Sequence, residues 1–315
     1  MNDLIARVQA VCDLNVADVR EYAGRHEYDG MMRNLSPAGI AQGLARLAST
    51  RAGGLTLPDA HDEAHLRAFE DLQQLVYGEL ELHRRNPLYL LSELDLACYD
   101  KEYAPSVHRR NARNGHLAAW PTAIDGGMRS LDRVSAPVAE SLLPAIRGLA
   151  SGIPADANPD ARREALVAHA RLVAHIERAV LDVPPEASAD TGALGGDTLA
   201  RLLGTAEATS VDLEDLARRA DAERDRLMDR LAESAAKIDS SKPPLEVARE
   251  LVRDHPDRSG VIEAARRGAE QALAFTREKD LVPYHDGTCL VGEAPESRRW
   301  AVAMITTNAP AEPDA

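Results

Sequence analysis

Along most of this chain apolar residues recur every three or four positions, the repeat of a helix with one buried face. Clusters of Pro, Gly and Ser punctuate the runs. The pattern predicts a first helix over 2–22. Ser36 followed by Pro37 reads as an N-cap with proline in the first turn, opening a helix to about residue 50. A long helix is expected from about Asp59 to Arg85, with Leu66, Phe69, Leu72, Val76 and Leu80 as its buried stripe. Asn86-Pro87 then starts another that runs to about Tyr103. Pro105 and Pro121 mark further starts or corners, Pro137 opens a helix, and a long helix covers 160–181.

Residues 210–238 carry the cleanest repeat. Ser210 is placed to cap, and Leu213, Leu216, Ala220, Leu227, Leu231 and Ile238 fall on one stripe, expected to pack against neighbouring helices. After a last helix near 259–279 the pattern changes to short alternating runs around turns, the mark of strands. The fold class expected is therefore mainly α: a multi-helix bundle with a few short C-terminal β-strands. The expected organisation is an N-terminal helical subdomain over 1–183, a linker or cleft loop at 184–196 and a second helical segment over 197–280. Strands of an incomplete sheet within 281–308 and a loose tail at 309–315 complete it.

Composition sharpens this picture. Hydrophobic residues make up 44% of 315, yet only 3% are aromatic, so the core must be built mostly of Leu, Ala and Val, a mixture that favours helix. The formal charge of −14 argues against nucleic acid as a partner and disfavours an anionic membrane surface. No segment has 18 uninterrupted apolar residues and the start lacks a signal-peptide pattern, so a cytoplasmic location is the expectation. Cys12, Cys98 and Cys289 are odd in number and far apart, which indicates neither a disulfide framework nor a cysteine zinc site.

One stretch invites a chemical reading. In "AHDEAHLRAF" His61 and His65 stand four apart, the spacing with which one helix face presents two imidazoles to zinc. Asp62, however, is one methylene shorter than the glutamate that activates water in zinc peptidases, and no third ligand is marked. An ordinary helix start rich in acids accounts for the stretch equally simply. No P-loop, nucleophile elbow or dinucleotide fingerprint is present, and no complete catalytic set is visible.

The stretch "RRNPLYLLSELDLACYDKEYAP" carries Asn86-Pro87-Leu88-Tyr89, then Leu94-Asp95, Tyr99 and Tyr103. Together with "HRRNARNGHLAAWP", the run from "LGGDTLARLLG" to "AESAAKI", and "REKDLVPYHDGTCLVGEAPESRRWAVA", it resembles a large bacterial family of unknown function. That family is similar to the helical gluzincin zinc peptidases, which include angiotensin-converting-enzyme-like carboxypeptidases. The resemblance covers roughly residues 84–308. It implies that the zinc helix, His-Glu-x-x-His with a further glutamate, follows the segment matched by Arg298–Ile305, so that His61 and His65 lie before the first matching motif. No cofactor is then expected in this chain, zinc being implied only in a complementary half.

On this reading the chain is the non-catalytic half of a gluzincin-like hydrolase, forming one wall of the substrate cleft. The cleft candidates are Tyr89, Glu93, Asp95, Tyr99, Tyr103, Arg109 and Arg110. Arginine can grip a carboxylate through two parallel bonds and tyrosine can donate to a developing oxyanion. The alternative is that Tyr89 and Tyr99 bury their rings with the hydroxyls tied to helix ends. The partners expected are a complementary catalytic polypeptide or a second copy joined through the open edge of the C-terminal strands. A stand-alone helical binding or scaffold protein without catalysis is the competing class.

Overall fold

The computed structural model describes residues 2–53, 55–181, 192–282 and 289–294, together with Ala309 and Glu312. Two compact units emerge, one of Met1–Val211 with Pro295–Ala315, the other of Asp212–Ala294. The described residues form thirteen α-helices and no strand. Residues 281–282 and 289–294 are irregular, and the rest of the expected strand region lies outside the described residues. No described helix is long and apolar enough to cross a membrane.

In the first unit the expected helix over 2–22 is two helices, α1 (Asn2–Asp13) and α2 (Val16–Tyr22). Their junction is closed by Asn15, whose side-chain amide donates to the Val11 carbonyl. Helix α3 (Pro37–Ala52) begins where the sequence indicates: Ser36 Oγ accepts the Gly39 N–H at 3.1 Å.

Helix α4 (Ala60–Gln73) is capped by Asp59 and passes into a π-helical turn, Gln74–Glu79. The long helix expected to Arg85 ends there because Glu81 adopts a left-handed conformation (φ 47°). Ion pairs to Arg84 and Arg133 hold Glu81 in place. The buried face also differs from the expected stripe. Leu66, Ala68, Glu70 and Gln73 point inward while Phe69 is exposed.

Short helices α5 (Leu82–Arg85) and α6 (Leu88–Leu94) follow, then a 3₁₀ turn, Ala97–Asp100. Asn86 Oδ1 accepts the Leu88 N–H, so Asn86-Pro87 does start α6. Helix α7 (Ser106–Ser130) continues through Pro121, which stands inside it instead of starting a new element. Only the bond to the Leu117 carbonyl is lost there, since proline has no N–H to give.

Helices α8 (Ala136–Gly148), α9 (Pro159–Leu181) and α10 (Gly196–Ala206) complete the unit. The core lies where α7, α8 and α9 meet. Leu117, Trp120 and Ile124 of α7 are fully buried beside Ala165, Ala168, Leu172 and Ile176 of α9. Alanines at these helical spacings let the two axes come close, with the larger α7 side chains filling the groove. Gly127 does the same for α6: a Cβ there would meet Leu90 at 2.7 Å.

The second unit contains α11 (Leu213–Ile238), α12 (Pro244–Arg253) and α13 (Val261–Lys279). The cap of α11 is Asp212, whose carboxylate accepts the Glu214 and Asp215 N–H groups, in place of Ser210. The expected packing of its stripe is found only in part within the unit: α11 packs on α12 and Leu213 and Leu231 are half-buried, while Leu216, Leu227 and Ile238 are exposed. Ala235 and Val247 are the buried apolar residues described there.

Candidate functional site

Helix α6 has Tyr89 and Glu93 one turn apart, which places both on one face. Glu93 is completely buried. Its carboxylate meets Arg33 from the loop before α3, with Nη2 at 3.1 Å from Oε1 and the Arg33 backbone N–H donating to Oε2 at 2.9 Å. Arg33 also donates to the Leu14 carbonyl and the Tyr77 hydroxyl. Its guanidinium lies 5.0 Å from the Tyr77 ring centre and 5.9 Å from that of Tyr89, and the two rings meet edge to face. Arg33 stays charged despite burial because Glu93 faces it.

A cavity of about 270 Å³ opens beside this cluster, lined by Asp18 of α2, Arg33, Gln73, Tyr77, Tyr89 and Ser92 among others. Tyr89 is half-buried and its hydroxyl makes no hydrogen bond among the described residues. Burial raises its pKa, so the phenol is a neutral donor. Gln73 Oε1 is buried without a partner at the same wall. Asp18 sits exposed at the rim, its pKa raised by the surrounding protein and by Glu93 and Glu21.

Tyr99 belongs to a second, closed cluster. Its hydroxyl accepts the Gly30 N–H at 2.9 Å and lies 3.0 Å from His116 Nδ1, while His116 Nε2 lies 2.7 Å from the Glu93 carbonyl. Gly30 has φ +76°, a conformation that favours glycine, and this turn aims its N–H at the phenol. Burial pushes the His116 pKa down to about 3 and that of His83 down to about 4, so both rings are neutral near pH 7. Burial likewise pushes the Cys98 thiol up to about 12, which leaves it unreactive.

The remaining candidates hold structure. Tyr103 donates to Asp29 Oδ2 at 2.7 Å and stacks on His26 at 3.6 Å between ring centres. Glu312 Oε1 lies 3.4 Å from His26 Nε2. Asp95 ends α6 and accepts the Ala97 N–H. Arg109 donates to the Ala104 and Tyr99 carbonyls, bracing the start of α7, and Arg110 is exposed. Thus Tyr89 and Glu93 share a site, Tyr99 adjoins it through Glu93, and Asp95, Tyr103, Arg109 and Arg110 do not line the cavity.

His61 and His65 are exposed on α4, their rings edge to face at 4.5 Å. Among the described residues no group of three His, Cys, Asp or Glu side chains could hold a metal. The neighbouring Glu63 is engaged elsewhere. It pairs with Arg7 at 3.0 Å and accepts the Leu57 N–H, and these bonds pull its pKa to about 2. Arg7 is buried and also grips both oxygens of Glu70 at 2.9 Å. His169 and His175 donate to the Ile146 and Leu131 carbonyls.

Sequence reasoning missed Arg7, Arg33 and His116. The signal that could have raised Glu70 was its place on the inward side of α4, where a carboxylate needs a cation.

No protein-family model matches the chain, and no curated protein matches it. A solved structure from Shewanella oneidensis, described as "a putative lipoprotein of unknown function", is similar to it with a TM-score of 0.55 at 13% identity. The likeness covers 89% of this chain and 57% of that one, and at this identity it establishes a shared helical fold. This chain thus spans little more than half the length of that protein.

Proposed function

We propose that this chain forms the helical, non-catalytic wall of a substrate cleft in a gluzincin-like zinc hydrolase, a peptidase or another amidase. The zinc and the general base would come from a complementary half, on another chain or a further segment. One observation carries the reading: the helical framework of this chain recurs in a protein where it accounts for 57% of the length. The motifs between Arg84 and Ile305 that resemble the gluzincin-related family support it. Within the wall, the Tyr89 hydroxyl is the group free to donate to a substrate oxygen, while Glu93 acts through Arg33.

The test is co-expression with any polypeptide from an adjacent reading frame that contains His-Glu-x-x-His. The expected result is a stable complex with zinc-dependent amide hydrolysis, weakened by Tyr89→Phe. Chains that never associate, with no zinc-dependent hydrolysis in the mixture, overturn the proposal.

A second reading, a helical binding protein without catalysis, is favoured by the second unit. Leu216, Leu227, Leu251 and Phe275 stay exposed on its helices, apolar side chains that a protein partner could cover. Stable binding of a partner with no hydrolysis from any mixture would support this reading over the first.

A further inference from the structure

Away from Tyr89, an open surface groove of about 530 Å³ lies between α7 and α9 in the first unit, with Arg129, Arg171 and Arg178 exposed along it. Its polar lining is Asp125 and Arg129 from α7 with Arg171, His175 and Arg178 from α9. Residues 171, 175 and 178 fall on one face of α9, and 125 and 129 on the facing side of α7, so the packing of the two helices brings these positions to one groove. Arg171 donates to Asp125 Oδ1 at 2.7 Å. Neither Arg129 nor Arg178 pairs with any carboxylate among the described residues. His175 is held by its bond to the Leu131 carbonyl.

Three arginines thus line the groove with one aspartate, an excess of two positive charges in a chain whose net charge is −14. Like charges gathered around one groove repel, and a dianion seated between them removes that repulsion. Guanidinium forks match the oxygens of phosphate and carboxylate alike. The volume exceeds that of a bare inorganic anion, and Met128 and Ala174 add apolar wall for an attached organic body.

We propose that this groove binds the phosphate group of a small organic phosphate monoester, with Arg129 and Arg178 as the principal ligands and Arg171 oriented by Asp125. A monoester is close to a dianion at neutral pH, which matches the charge excess. The site is independent of the cleft reading and stands or falls separately.

The experiment is calorimetric titration of the full chain with phenyl phosphate, with succinate as a carboxylate dianion of equal charge, at constant ionic strength. Saturable binding of phenyl phosphate, tighter than that of succinate, is expected. Arg129→Gln and Arg178→Gln should each weaken it about tenfold, the loss of one charge-assisted contact. Asp125→Asn should tighten it, because it removes the competing negative charge and frees Arg171. All three residues lie at the groove surface, and circular dichroism would confirm unchanged helicity in each variant. No saturable binding of phenyl phosphate up to about 10 mM overturns the proposal. So does succinate binding as tightly, or affinity that is indifferent to both arginine substitutions.

Discussion

The Tyr99 hydroxyl and the His116 imidazole fix each other's protons. His116 Nε2 lies 2.7 Å from the Glu93 carbonyl, which can only accept, so Nε2 carries the hydrogen. Nδ1 is then an acceptor, and the phenol 3.0 Å away must donate to it. The phenol oxygen in turn takes the Gly30 N–H. Tyr99→Phe therefore orphans two groups at once, Nδ1 and the Gly30 N–H. The expected loss is about 2–6 kcal/mol, at 1–3 for each unsatisfied group. Tyr103→Phe, which removes one half-buried bond to Asp29, should cost about 1 kcal/mol. Urea unfolding followed by tryptophan fluorescence compares them. Equal losses would mean that the Tyr99 network is not closed as described.

The buried histidines set the response to acid. In the folded chain His116 and His83 titrate at about 3 and about 4, against 6.5 for the free side chain. Between those values the unfolded chain binds more protons than the folded one, so stability falls as pH drops. Each ring contributes up to about 1.4 kcal/mol per pH unit within its window. Glu63, pulled to about 2 from 4.5, acts in the same direction at lower pH. Stability should be flat above about pH 6.5 and decline steadily below it. Urea midpoints from pH 8 to 4 test this, and His83→Gln should flatten part of the slope. A midpoint independent of pH across that range would contradict the placement of both rings.

Arg33 and Glu93 form an ion pair with almost no access to water. Glu93→Gln would leave a buried guanidinium without its countercharge, an expected loss of about 3–5 kcal/mol. Arg33→Met alone strands the carboxylate and the Tyr77 hydroxyl. The double variant Arg33→Met with Glu93→Gln should be less damaged than the sum of the singles. A double-mutant cycle by chemical denaturation measures this coupling. Additive losses would show that the pair does not interact energetically.

What the sequence reveals depends on how far apart the interacting residues stand. Ser36-Pro37, Asn86-Pro87 and the helical pattern over 160–181 act locally, and each marks a helix that is present, although the one begun at Asn86-Pro87 ends at Leu94, short of the expected Tyr103. The break at Glu81 is not local: its left-handed turn is held partly by Arg133, 52 residues away. Pro121 misleads because the neighbouring core residues Leu117, Trp120 and Ile124 hold α7 together through the lost bond. At the site, the pairing of Tyr89 with Glu93 follows from helical spacing and is legible. Arg7 with Glu70 and Arg33 with Glu93 are separated by 63 and 60 residues, and nothing in local pattern connects them.

His61 and His65 provide the sharpest test of where the chemistry lies. Both rings are exposed in the first turns of α4, where the Asp59 cap and nearby acids satisfy the helix start. Asp62, which stands in the general-base position, is exposed beside them, and the next carboxylate, Glu63, already binds Arg7, Arg67 and the Leu57 N–H. Moving it to a metal-bound water would strand the buried Arg7 guanidinium, which Glu70 alone would then have to balance. His65→Ala should therefore leave both zinc content and stability unchanged, within about 0.5 kcal/mol as for other exposed substitutions. Glu63→Gln should destabilise the fold instead, because it loosens Arg7 between α1 and α4. Metal analysis of the purified chain and its variants, beside thermal unfolding, separates the outcomes. Stoichiometric zinc that disappears with His65→Ala would return the catalytic metal to this chain.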